Sequence, residues 1–163
     1  MKTAIVYSSS HGTTEKAAHL LREDLVGEVE VINLKKYPNP DMGEYDSVII
    51  GSSIHAGSIQ GKVKNFIGKN LDMLLAKKIG LFLCCMYEGE EAKKQFEKGY
   101  PEELRNAAIA HGLFGGEFLF SKMNFIERKI IKKISGVTSD VFKLDLDAIK
   151  KFADEINNKA IEV

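Results

Sequence analysis

Cysteine is nearly absent from this chain: there are two, Cys84 and Cys85, and they are neighbours. Adjacent cysteines do not form an ordinary stabilising disulfide, which argues against a disulfide-stapled scaffold and for a reducing compartment. Net charge is absent as well. Lys plus Arg and Asp plus Glu both number 23, so nothing global attracts nucleic acid or an acidic polymer. No apolar run approaches the ~18 residues of a membrane span. The opening MKTAIVYS offers one lysine before a short apolar run that breaks into serines, too little for a signal peptide. A cytoplasmic protein is the expectation. No repeat, linker or low-complexity tract interrupts the sequence, and the GxGxxG of a dinucleotide-binding turn is missing. With 163 residues, 44% hydrophobic and 28% charged, one globular domain over 1–163 is expected.

What is present is an alternation of strand and helix patterns. Helical spacing runs over Thr13–Val26, with Ala17, Ala18, Leu20, Leu21 and Leu25 on one face, and Gly27 stops it. Glu28–Leu34 (EVEVINL) alternates with period two, as a strand near a sheet edge does. Asp46–Ser52 and Ile79–Met86 are continuous apolar strands of the kind covered on both faces. Between them Lys62–Leu75 carries a helical stripe. Glu90–Gly99 and Pro101–His111 read as one broken helix or two short ones, and Gly112–Phe120 as a fifth strand weakened by glycines. Asn124–Ser135 is a helix with Ile126, Ile130, Ile131 and Ile134 on one side, capped by Gly136. An extended piece at Val141–Leu144 precedes a closing helix over Asp145–Lys159. Five such alternations predict an α/β, three-layer, doubly wound parallel sheet.

Three loops follow strands one, three and four, at the carboxyl edge where such sheets bind ligands. In the first, YSSSHGTTE, an apolar strand gives way to serines, a histidine, a glycine and two threonines directly before a helix. Such a loop aims N–H groups, hydroxyls and the positive end of a helix dipole at one point, and so can hold phosphate without a lysine. The same residues also suit an ordinary helix cap. The other loops are SSIHAGSIQG after Asp46–Ser52, and Met86, Tyr87 and the acidic residues beyond.

These residues resemble the flavodoxin family, whose phosphate loop reads S/T-x-T-G-x-T: Ser9, Ser10, His11, Gly12, Thr13 and Thr14 fall in that register, with His11 standing where the pattern has threonine. The resemblance implies a flavodoxin-like five-stranded parallel sheet of order 2-1-3-4-5 and FMN as cofactor. Over most of the length the chain is similar to the menaquinone-dependent protoporphyrinogen dehydrogenase branch of these proteins, through Val48–Ser53 (VIIGSS) running into IHAG and through Phe125–Gly136 (FIERKIIKKISG).

FMN needs an anion cradle and two walls for its ring. Ser8, Ser9, Ser10, His11, Gly12, Thr13 and Thr14 are assigned to the phosphate, and Ser53, Ile54, His55, Ala56 and Gly57, within Ser52–Ser58, to one side of the ring. Gly57 can change conformation cheaply and turn a carbonyl toward flavin N5, or it simply serves a turn. Met86 and Tyr87 are assigned to the other side, Tyr87 as a stacking partner or a surface residue. His55 either meets the pyrimidine edge or faces water. Cys84 and Cys85 read as small core residues, and His19 and His111, both placed in helices, carry no signal.

No catalytic acid, base or nucleophile stands out, and no metal-ligand cluster. Two functions therefore stay open: an electron carrier serving redox partner proteins, or an FMN-dependent oxidation of protoporphyrinogen IX with a quinone as final acceptor. A cofactor-free scaffold is the third. The helix from Lys122 to Lys133 also has two readings. Its apolar stripe packs on the sheet with the lysines solvated, or the helix docks on an acidic redox partner, an acidic porphyrin or an anionic membrane surface.

Overall fold

The computed structural model describes residues 1–118, 124–135 and 141–162. In chain order its first half contains β1 (Lys2–Ser8), α1 (Thr13–Asp24), β2 (Glu28–Asn33), β3 (Ser47–His55), β4 (Ser58–Ile59), α2 (Gly61–Leu75) and β5 (Lys78–Cys84). The second half contains α3 (Gly89–Gly99), α4 (Glu102–Ala107), β6 (Ala110–Leu113), β7 (Gly115–Phe118), α5 (Phe125–Ser135), β8 (Val141–Leu144) and α6 (Leu146–Ile161). Strands β2-β1-β3-β5-β6 lie side by side, all parallel. Counting the parallel strands alone, this is the expected order 2-1-3-4-5.

Period-two alternation along the central strands feeds two cores. Ala4, Val6, Val48, Ile50, Leu81 and Leu83 face one side, against Val63, Phe66, Ile67 and Leu74 of α2, Phe96 of α3 and Leu104 of α4. Ile5, Tyr7, Ile49, Phe82 and Cys84 face the other, against Ala17, Ala18 and Leu21 of α1 and Ile149, Phe152, Ala153 and Ile156 of α6. Helices thus cover both faces, as right-handed crossovers between parallel strands require. Edge strand β2 keeps Glu28 and Glu30 exposed.

Of the glycines that weaken the fifth strand on propensity, Gly112 makes room for rings. Phe82 stacks on Phe114 at 4.7 Å between centroids, and Phe114 meets Phe152 edge-on at 5.4 Å. A Cβ on Gly112 would lie 2.5 Å from Phe114 and 2.9 Å from Phe152, and one on Gly51 would lie 2.0 Å from Phe82.

Four expectations change. The helix over Pro101–His111 ends at Ala107, and His111 belongs to β6, where it pairs with Leu81 of β5. The strand expected over Gly112–Phe120 is divided between β6 and β7, which joins β8 in a separate antiparallel pair; residues 119–120 lie outside the described residues. The loop after the third strand is a hairpin, because β3 continues to His55 and pairs with β4. Finally, of the two readings of α5, packing of its apolar residues on the sheet does not hold for those described: Phe125, Ile126 and Ile130 are 76%, 69% and 51% exposed. Lys122, Gly136 and the side chains of Ile131 and Ile134 lie outside the described residues.

Candidate functional site

Strand register brings the three loops together. Ser8 at the end of β1 is level with Ser52 of β3, and Ser53 is level with Cys84 at the end of β5. The segments following these residues therefore leave the sheet side by side at its carboxyl edge.

In the first loop the chain turns into α1 through Gly12, whose φ of 92° is left-handed and costs a glycine nothing. Gly12 donates its N–H to Ser9 Oγ at 2.9 Å, holding the turn closed. No side chain caps α1, so its first N–H groups face the loop at the positive end of the helix dipole. Two hydroxyls flanking the loop, Ser8 Oγ at the end of β1 and Thr14 Oγ1 in the first turn of α1, are buried without a hydrogen-bond partner. A buried hydroxyl left unpaired costs about 1–3 kcal/mol, and an arriving phosphate would relieve it. The ordinary-cap alternative needs a side-chain oxygen on these amides, and the described residues offer none. The residues present fit a phosphate. Beneath the loop, burial, followed by the Glu15 carboxylate, pushes the Tyr7 phenol up to about 12, which keeps it neutral.

The second element is the two-residue turn joining β3 to β4. Ala56 and Gly57 both have positive φ, 50° and 77°, as a tight hairpin turn of the primed type demands. Glycine accepts this freely, whereas Ala56 holds a conformation that costs an alanine about 1 kcal/mol or more. His55, Ala56 and Gly57 are exposed, while Ser53 and Ile54 are half-buried. Directly after the hairpin stands Gln60, which the sequence did not single out. Its backbone N–H donates to Ser52 Oγ at 2.9 Å, and its amide nitrogen donates to Ser53 Oγ at 2.9 Å and to Ser10 Oγ at 3.0 Å. One buried residue thus ties the phosphate loop to the hairpin.

The third element follows β5. Met86 is half-buried, and Tyr87 is 49% exposed with its ring free to meet a planar partner. Cys84 and Cys85 are buried, and burial pushes the Cys85 thiol up, against a smaller lowering by the Tyr87 backbone. They sit as core residues, not as redox thiols.

Two charged side chains reach the phosphate loop from elsewhere. Lys35, just past β2, donates from Nζ to the carbonyl of Ser9. The loop therefore does carry a lysine, supplied from 26 residues away. His11 has its Nε2 2.7 Å from Glu127 Oε2 on α5. Glu127 is held in turn by a reciprocal cap with Asn124: its N–H donates to Asn124 Oδ1 at 2.8 Å, and Asn124 Nδ2 donates to Glu127 Oε1 at 3.1 Å. Where the flavodoxin pattern places a threonine, this chain has an imidazole in close contact with a carboxylate of a distant helix. Neither partner could be found from sequence, because nothing local marks a contact across 26 residues, for Lys35, or across more than 100, for Glu127.

The structure thus gathers Ser8 to Thr14, Ser53 to Gly57, and Met86 and Tyr87 on one edge, and adds Gln60, Lys35 and Glu127. Two surface concavities lie elsewhere. One of about 590 Å³ runs along Glu30–Ile32 and Lys36–Pro40. The other, of about 340 Å³, lies between Lys93, Phe96, Arg105 and His111. Neither includes a residue of the three loops. Among the described residues no group of His, Cys, Asp or Glu is placed to hold a metal, and no helix is long and apolar enough to cross a membrane.

Comparison with known proteins agrees with this geometry. The chain is 26% identical over 176 residues to the protoporphyrinogen IX dehydrogenase [quinone] of Escherichia coli K12, covering 96% of this chain and 94% of that one. Among solved structures it superposes on flavodoxin 1 of Bacillus cereus with a TM-score of 0.57 at 17% identity, over 95% of this chain and 96% of that one. It also superposes on a short-chain flavodoxin associated with a PDU bacterial microcompartment, with a TM-score of 0.63 at 14% identity, over 98% and 99%. Both structural likenesses bear on the fold alone. Residues 4–145 match the model of the flavodoxin domain; the expectation of a flavodoxin-type FMN protein stands with that match, and the chain belongs to the flavodoxin domain family.

Proposed function

We propose that residues 1–163 act as one FMN-binding unit that carries electrons between partner proteins in the cytoplasm. The observation that carries the reading is the pair of buried, unpartnered hydroxyls of Ser8 and Thr14 beside an uncapped helix N-terminus. An anion with several acceptor oxygens satisfies all of these donors together. In this reading Ser8, Ser9, Ser10, His11, Gly12, Thr13 and Thr14 hold the phosphate, and Lys35 adds a cation. Ser53, Ile54, His55, Ala56 and Gly57 border the ring on one side, and Met86 and Tyr87 on the other. Bound FMN supplies one- and two-electron redox chemistry. The chain's own residues orient it and limit its contact with water. Protein purified with FMN supplied is expected to be yellow with one flavin per chain, and failure to bind FMN at micromolar levels would remove the reading.

A second reading, oxidation of protoporphyrinogen IX with a quinone as acceptor, is favoured by the similarity to the Escherichia coli dehydrogenase along nearly the whole chain. Against it stands the acidic stretch of Glu88, Glu90, Glu91, Glu97, Glu102 and Glu103, all exposed, where a tetrapyrrole carboxylate or a membrane calls for basic residues. Turnover of protoporphyrinogen with a quinone separates an enzyme from a carrier.

A further inference from the structure

Helix α5 is the least expected feature of the surface. A helix with an apolar stripe normally turns that stripe to the core, yet Phe125, Ile126 and Ile130 are exposed and belong to neither core cluster. Lys129, Lys132 and Lys133 are exposed beside them. At 100° per residue these six side chains share an arc of about 160°. Glu127 projects from the other side, toward His11. The helix is thus capped by Asn124, in contact with His11 at the rim of the phosphate loop, and, among the described residues, unpartnered on its outer face.

We propose that this outer face is a peripheral docking site for an anionic lipid surface. Charge complementarity and the arrangement of the side chains point to lipid over protein. The cores of protein interfaces are depleted in lysine, which is kept to their rims, whereas here lysines lie between the apolar residues. An interfacial helix tolerates that mixture, because lysine stems lie along the acyl boundary while their ammonium groups reach lipid phosphates. Lys129 already lies along Phe125, its Nζ 5.6 Å from the ring centroid. The chain has no net formal charge, so the attraction is local to this face. Eleven residues cannot span a bilayer, so the helix lies on the surface. If the FMN reading holds, docking sets the flavin edge beside the membrane, where a lipid-soluble acceptor is found. The lipid contact itself does not depend on that reading.

The test is co-sedimentation of the FMN-loaded chain with phosphatidylcholine vesicles, alone or containing about a third phosphatidylglycerol, at about 0.1 M and about 1 M salt. Each lysine near an anionic leaflet is worth about five-fold, so three predict a preference of about 100-fold for the anionic vesicles, lost at high salt and lost in the K129Q/K132Q/K133Q variant. The F125S/I126S/I130S variant is expected to partition at least about ten-fold more weakly at either salt. All six side chains are exposed, so circular dichroism should show both variants folded. Equal partitioning of the wild-type chain onto the two vesicles, or no partitioning, overturns the proposal, as does either variant binding like the wild type. A protein captured through this face without vesicle binding also overturns it. Flavin absorbance of the same samples reports FMN binding separately, so a colourless chain that still sediments refutes the cofactor and spares the docking face.

Discussion

Replacing Thr14 with valine should move stability and cofactor affinity in opposite directions. Thr14 is the second residue of α1, wholly buried, with Oγ1 unpartnered. Valine keeps the branched shape and removes only the hydroxyl, so the cost of an unpaired buried polar atom disappears. The cofactor-free protein should gain about 1–2 kcal/mol, a rise in Tm of about 3–6 °C for a chain of this size. If the hydroxyl meets the phosphate, the loaded protein loses a hydrogen bond to a charged group worth about 1.5–3 kcal/mol. The Kd for FMN should then rise about 10- to 150-fold. Riboflavin has no phosphate, and its affinity should be unchanged. Quenching of flavin fluorescence measures both affinities, and thermal unfolding with and without saturating FMN measures the stabilities. A variant less stable without cofactor, and weakened equally toward FMN and riboflavin, would show that Thr14 serves packing and that the phosphate assignment is wrong.

Lys35→Gln should weaken FMN about 3- to 10-fold at low salt, less at high salt, and leave riboflavin unaffected; equal losses for both flavins would mean that Lys35 only braces the loop. Ala56→Gly removes the strain of a left-handed alanine and should stabilise the chain by a net ~0.5–1 kcal/mol in urea unfolding, whereas destabilisation would show that the hairpin turn is not as described. Stability should fall in alkali. Burial raises Cys85 above its ordinary 9.0, and burial first also raises Tyr7, Tyr45 and Tyr100 above 10.0. For such groups the unfolded chain ionises first, so their contribution is complete below about pH 8 and is lost as pH rises from about 9 through the folded values. Urea midpoints unchanged between pH 8 and pH 11 would contradict this.

The parallel sheet was legible because its signals are local: buried strands read as continuous apolar runs, and α1 and α6 have one apolar face each. The turn proposed to hold phosphate was legible as a strand-turn-helix for the same reason, since strand, turn and helix start lie within ten residues. Periodicity shows that a helix has a stripe but not what the stripe meets, and so the exposure of Phe125, Ile126 and Ile130 was hidden. His111 was misplaced because AAIAHG has helical composition, while its pairing with β5 depends on residues 30 positions earlier. Gly112 in the fifth strand looked like weakness because propensity does not register the rings of Phe114 and Phe152. Gln60, Lys35 and Glu127 reach the site across the sequence, through contacts that exist only once the chain is folded.

Gln60 has a consequence for anyone who would move this site elsewhere. Its single side chain supports Ser10 and Ser53, while its backbone leans on Ser52 and opens α2. The two ends of the proposed cofactor site are therefore not independent parts. A phosphate loop transplanted without the hairpin, or a hairpin redesigned for a new redox potential, loses the brace that sets the distance between them. The smallest portable unit runs from the first serine of the loop to the first turn of α2, with β1 and β3 carried along as its frame.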